Sequence, residues 1–171
     1  MELRGAGRRA GRFIHLYDAS VRDPSSEADW LAVTDEPLDV ARALSWATGP
    51  SWGAVASFVG LVRDNAGERT EVSAIDYEAY EEQVVPGFAR LTATARQRWP
   101  ALGRVVVWHR TGLVALEEAS VVVVVSAPHR DEAFEACRYL IDTLKATAPI
   151  WKREHWPGGS DWSPESRELA R

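Results

Sequence analysis

The 171-residue sequence predicts an α+β fold, and three observations carry that expectation. Two runs dense in β-branched residues, 104–108 (Arg-Val-Val-Val-Trp) and 120–126 (Ser-Val-Val-Val-Val-Val-Ser), read as the strongest strands. Three other segments repeat apolar residues at helical spacing. The order that results is αββαββα followed by a tail. Paired strands separated by helices suit α+β better than a doubly wound sheet, in which strands and helices alternate singly.

Each element has its own signal. After Pro37, residues 38–47 carry apolar side chains at helical spacing, and Gly49, Pro50 and Gly53 end that helix. Residues 54–59 read as a buried strand closing at Gly60, followed by a polar, turn-rich loop over 63–70. Val72, Ala74, Ile75 and Tyr77 give 72–79 strand character. From 81 to 99 the pattern turns helical, with Val84, Phe88, Leu91, Ala95 and Trp99 at steps of three or four, and Pro100 stops it. Segment 111–119 joins the two valine-rich strands. The last helix, 131–144, places Phe134, Cys137, Ile141 and Leu144 on one face, with Ser126 and Pro128 as its cap and first-turn proline. Pro149 bars its continuation. Residues 1–25 read as a loose arm, 26–165 as one domain, and 166–171 as a tail.

Bulk properties exclude several classes of function. No apolar run approaches the roughly 18 residues a bilayer-spanning helix needs, and the N-terminus has no apolar signal segment, so a cytoplasmic protein is expected. The single Cys137 forms no internal disulfide. The net charge of −5 is unevenly spread. Arg4, Arg8, Arg9 and Arg12 stand against Glu2 in the arm, whereas residues 13–40 hold seven acids and one Arg, and the body from 41 onward is near neutral. No general basic face for nucleic acid is left. His129, Cys137 and His155 lack zinc-ligand spacing, so no metal is expected. Neither a phosphate-binding lysine loop nor a dinucleotide glycine fingerprint occurs, and Gly158-Gly159 is a turn signal.

The basic residues are lopsided: eighteen Arg and only two Lys, Lys145 and Lys152. Arg stays protonated, whereas a Lys amine can act as nucleophile or acid–base. Their closeness in the chain is a functional hint, beside the plain reading of two solvated lysines, one of them suiting a helix C-terminus. Arg63 follows a strand and reads equally as a solvated loop side chain. His129 and Arg130 stand where a helix begins, a place that favours anions. Arg there opposes the helix dipole, which tilts the pair toward a phosphate or carboxylate pocket. His109-Arg110, at a strand end, is either structural or supports a site. Cys137 lies on an apolar helix face and reads as a small core residue.

Ordered motifs then point to a family. They are Phe58-Val-Gly-Leu-Val-Arg63-Asp, Tyr77-Glu-Ala-Tyr80, Trp108-His-Arg-Thr-Gly112, Ser126-Ala-Pro-His129-Arg130 with Ala133-Phe134, and Leu144-Lys145 through Ala148-Pro149-Ile150-Trp151-Lys152-Arg153-Glu154. Together they resemble the catalytic (large) subunit of molybdopterin synthase, from about Trp30 to about Trp162. The resemblance implies an α/β-hammerhead-type fold with an additional antiparallel β subdomain. It implies an enzyme of molybdenum cofactor biosynthesis that converts cyclic pyranopterin monophosphate to molybdopterin, inserting two sulfurs as a dithiolene. The sulfur would arrive as a thiocarboxylate on the Gly-Gly tail of a small ubiquitin-like subunit, with the large subunit a homodimer inside a heterotetramer. By motif, Lys145 and Lys152 would be catalytic, and Arg63, His129 and Arg130 would line the substrate pocket, with no cofactor of the protein's own. Two rival readings use the same cations: a non-catalytic docking module for a ubiquitin-like tail, and a Lys Schiff-base catalyst.

Overall fold

In the computed structural model, which describes residues 28–65 and 70–163, the two valine-rich runs lie side by side at the centre of a four-stranded sheet. They are β4 (Val105–Arg110) and β6 (Ala119–Ala127), antiparallel with Val105 opposite Val125 and Val107 opposite Val123. The sheet is completed by β2 (Ala54–Leu61), antiparallel to β6, and by β1 (Asp29–Thr34), parallel to β4. Its order is β1-β4-β6-β2. The predicted arm 1–25 and tail 166–171, and residues 66–69 of the turn-rich loop, lie outside the described residues.

Both faces of this sheet are covered, which is why its central strands are apolar without alternation. On one face α2 (Glu81–Arg98) and α3 (Arg130–Thr147) pack Val84, Phe88, Leu91, Ala95, Ala136 and Leu140 onto Val105, Val107, Val121, Val123 and Val125. On the other face α1 (Val40–Ala47) packs Ala43 and Ala47 onto Val106, Trp108, Val122 and Val124. Fully burying one aliphatic side chain such as Leu140 stabilises by about 1.5–3 kcal/mol. The short α1 is started by Asp39, whose carboxylate accepts from the Arg42 amide at 2.9 Å.

A second sheet, order β5-β3-β7-β8, is antiparallel throughout. It consists of β3 (Ala74–Ala79), β5 (Gly112–Ala115), β7 (Ile150–Trp156) and β8 (Gly159–Trp162), around a small core of Val62, Val72, Ile75 and Val114. Mixed helix and sheet in two such units is the α+β architecture the sequence predicts.

Several local expectations are corrected. Strand β1 (Asp29–Thr34) precedes the first element that the sequence predicts. Its residues Trp30 and Ala32 face α1 while Leu31 and Val33 face the other helices, so it carries no alternating signal. The start of β1 is fixed by Arg96, which donates to the Asp29 carboxylate and to the carbonyls of Ala28, Leu102 and Gly103. The joining segment 111–119 contains β5, and the supposed tail after Pro149 is the hairpin β7–β8. The N-cap of α3 is His129 rather than a Ser126–Pro128 start. Ser126 is inside β6, its hydroxyl accepting from the Arg104 amide at 2.7 Å. Phe134 is 66% exposed. At 100° per residue it sits roughly 90° from the middle of the stripe formed by Ala133, Ala136, Cys137, Leu140, Ile141 and Leu144, so it falls at the margin of the apolar face.

Candidate functional site

The topology sorts the predicted residues by the end of the main sheet at which they emerge. Helix α3 runs back along β6, so its C-terminal Lys145 returns to the level where β6 begins. There β2 ends, with Leu61 paired to Ala119, and β4 ends, with His109 paired to Val121. Arg63 follows β2 at this end, exposed, just after Val62 is pinned by its amide to the Glu118 carbonyl at 3.0 Å and by its carbonyl to the Glu117 amide at 2.8 Å.

Lys152 reaches the same end from the second sheet. Ala148 and Pro149 turn the chain from α3 into β7, and the Tyr80 amide holds the turn by donating to the Pro149 carbonyl at 3.1 Å. In β7, Lys152 stands directly across from Tyr77 of β3. The Tyr77 ring meets the His109 ring at 5.2 Å between centroids, 74° between planes. Lys145 places its Nζ 5.5 Å from the centroid of Phe58 and is close enough to His109 for its charge to act there. Lys152 acts likewise on Tyr77. The His109–Tyr77 pair thus stands between the two amines.

His109 is buried, and its Nδ1 lies 2.8 Å from the Arg110 carbonyl. A carbonyl only accepts, so Nδ1 carries the proton and Nε2 the lone pair. Burial, helped by the Lys145 charge and opposed by that hydrogen bond, lowers its pKa to about 4. The imidazole is neutral at neutral pH. Burial likewise raises the Tyr77 pKa, against a hydrogen bond with Ser120 and the Lys152 charge, so the group is a neutral phenol. On the same strand face as Lys152, Glu154 is buried at 2% exposure. The site therefore joins two amines and Arg63 to the neutral, fixed rings of His109 and Tyr77, an arrangement suited to holding anions and moving protons.

His129 and Arg130 do not join this cluster within one chain. They are exposed at the other end of α3, where Ala127 pairs with Ala54 at the start of β2. There the chain passes so near Gly53 that a Cβ on it would lie 2.5 Å from the Pro128 carbonyl oxygen. Fifteen residues of helix separate Arg130 from Lys145, about 22 Å at 1.5 Å per residue.

Tyr77 appeared in the sequence only as a strand residue and a motif letter. Its place beside Lys152 depends on β7, which the sequence left unassigned, so only the strand pairing exposes it. Cys137 matches its reading as a core residue, since it is buried and its pKa is raised to about 11 by desolvation. Among the described residues no group of three or more His, Cys, Asp or Glu side chains is placed to hold a metal ion, and no helix is long and apolar enough to cross a membrane.

The chain is similar to known proteins over most of its length. A family model described as MoaE protein matches residues 33–147. The molybdopterin synthase catalytic subunit of Nostoc sp. is 44% identical over 132 residues, 77% of this chain and 79% of its own. A crystal structure of molybdopterin synthase from Staphylococcus aureus superposes with a TM-score of 0.72 at 30% identity, covering 77% of this chain and 94% of that one. The fold is also shared, with a TM-score of 0.67 at 23% identity over 79% of this chain and 90% of the other, by a chain from the Helicobacter pylori complex of subunits 1 and 2 of molybdopterin-converting factor.

Proposed function

The chain belongs to the MoaE family of molybdopterin synthase catalytic subunits, enzymes of molybdenum cofactor biosynthesis, and on that premise we propose that it is the sulfurtransferase acting on cyclic pyranopterin monophosphate. Sulfur comes from the C-terminal thiocarboxylate of a small ubiquitin-like subunit, and the product is the dithiolene of molybdopterin; a two-subunit assembly is what the Helicobacter pylori complex of subunits 1 and 2 of molybdopterin-converting factor has. One observation carries the reading: the chain's only two lysines, on α3 and β7, converge on one end of the main sheet. Donor and substrate are both anionic. Two ammonium groups and the Arg63 guanidinium hold them together and stabilise the charge that develops as sulfur is transferred. Lys145 and Lys152 are the catalytic pair in this reading. Cys137 is buried with a raised pKa, which agrees with sulfur being delivered by the partner.

The 22 Å separation gives His129 and Arg130 a role only if a second copy is present. In the proposed homodimer, at the centre of a heterotetramer, the anion-binding pair of one copy completes the lysine site of the other. The unit that does this is the domain over 26–165, working in the cytoplasm.

The test is reconstitution. The purified chain is mixed with thiocarboxylated small subunit and pyranopterin, and dithiolene formation is followed. Lys145→Ala is expected to bind the small subunit and lose at least 100-fold in rate. Equal rates for this variant and wild type would sink the catalytic assignment, and partner binding without turnover by the wild type would leave only a docking module.

A further inference from the structure

We propose that Tyr77 is a positioning residue of this enzyme, whose phenol, set between His109 and Ser120, orders the Lys152 side chain on the shared face of β3 and β7. The proposal rests on the sulfur-transfer reading for what Lys152 does, and on the geometry of the two sheets for how it is held.

The strand pairing supplies the contact. Tyr77 and Lys152 are directly opposed in an antiparallel pair, which puts their Cβ atoms on one face about 4.5–5.5 Å apart. On its other side Tyr77 faces Gly112 of β5. Gly112 has no side chain and a left-handed φ of 71°, so nothing there competes for the phenol. The lysine is its one cross-strand neighbour with a side chain.

The far side of the ring is held by groups that do not move easily. His109 meets it nearly edge to face. That imidazole is buried and tied through Nδ1 to the Arg110 carbonyl, so the ring cannot turn away without breaking a buried hydrogen bond. Ser120 is buried as well and donates its only hydroxyl proton to the Gly60 carbonyl at 3.2 Å. Ser120 is also the side-chain hydrogen-bond partner of Tyr77. Through Ser120 the phenol is thereby tied to the end of β2, while its cross-strand face is the one that carries Lys152. A lysine side chain loses much rotamer freedom when fixed. Holding it before substrate arrives moves that loss out of the reaction step.

Tyr77→Phe keeps the ring and its contact with His109 and removes only the hydroxyl. The expected result is a kcat for dithiolene formation lowered about tenfold, with KM for the pyranopterin within twofold of wild type and Tm unchanged. A second readout does not depend on turnover. With two lysines in the whole chain, lysine-selective isotope labelling gives two side-chain NMR signals, assigned by Lys145→Arg and Lys152→Arg. Tyr77→Phe is expected to raise the mobility of the Lys152 methylenes and leave those of Lys145 as they are. Ser120→Ala, which leaves Tyr77 in place without its hydrogen-bond partner, is expected to act in the same direction. An unchanged Lys152 signal in both variants overturns the proposal whatever the rates. A mobile Lys152 in a variant of full activity overturns it too, since the ordering would then serve nothing. A wild-type chain that transfers no sulfur yet shows the Tyr77-dependent order of Lys152 counts against the sulfur-transfer reading and leaves the positioning contact standing.

Discussion

Arg130 and Lys145 occupy opposite ends of the same helix, α3, fifteen residues apart. Both carry motifs of one family, yet roughly 22 Å of rigid helix keeps them from acting on one small substrate within one chain. The helix, packed along its length against β2 and β6, offers no bend that would close the gap.

Complementation between damaged chains follows from this separation. Lys145→Ala and Arg130→Ala homodimers are each expected to be inactive. Co-expressed and left as a random mixture of dimers, they should recover up to about a quarter of wild-type activity, because half of the dimers are hybrids and each hybrid keeps one of its two composite sites intact. Hybrids as inactive as their parents would show that the two residues serve a site within a single chain, or none.

The lysines should not tolerate arginine. Lys152→Arg keeps the positive charge but not a group able to give up its proton. Steady-state kinetics are expected to show KM for the pyranopterin within a few-fold of wild type and kcat down by about 100-fold. A wild-type kcat would mean that only charge matters at this position.

Acid should destabilise the fold through His109. Its folded pKa of about 4 is below the ordinary 6.5, so between those values the unfolded chain takes up a proton that the folded chain does not. Stability from this group is complete above about pH 6.5 and is lost as pH falls toward 4, on the order of 3 kcal/mol in all. Urea unfolding across that range should show a steeper fall for wild type than for His109→Asn, whose amide can replace the Nδ1 donor. Parallel curves would remove His109 as the cause.

Cys137 should be silent until the protein unfolds. Its thiol is buried and its pKa pushed up to about 11, so little thiolate exists at pH 8. A thiol-specific reagent is expected to react with the folded protein at least 100-fold more slowly than with the chain in denaturant. Rapid labelling of the native state would place Cys137 outside the core.

What could be read from the sequence, and what could not, divides along physical lines. The valine runs announced β4 and β6 because a strand buried on both faces is apolar throughout, and α2 and α3 announced themselves by periodicity. Strand β1 escaped because Trp30, Leu31, Ala32 and Val33 serve two faces at once within an acidic stretch. The β7 strand escaped because Trp151, Lys152, Arg153 and Glu154 mix apolar and charged side chains, their order set by pairing with β3 rather than by a local rule. The site shared that fate. Lys145 and Lys152 could be singled out by scarcity and motif, but their convergence, the intervening His109–Tyr77 contact and the distance to Arg130 all depend on tertiary register. Phe134 shows the opposite error, a helical spacing that was real but ran along the edge of the buried stripe.

The short passage from α3 to β7 places a demand on chain length as well as on residue type. Lys145 is fixed by helical phase and Lys152 by strand register, with the turn clamped by Tyr80. One residue added at the head of β7 would slip that register and send the Lys152 amine to the opposite face of the sheet. Single-residue insertions or deletions between the two lysines should therefore be as damaging as loss of the amine itself, even where every side chain is retained. In this segment the number of residues constrains function as tightly as their identity.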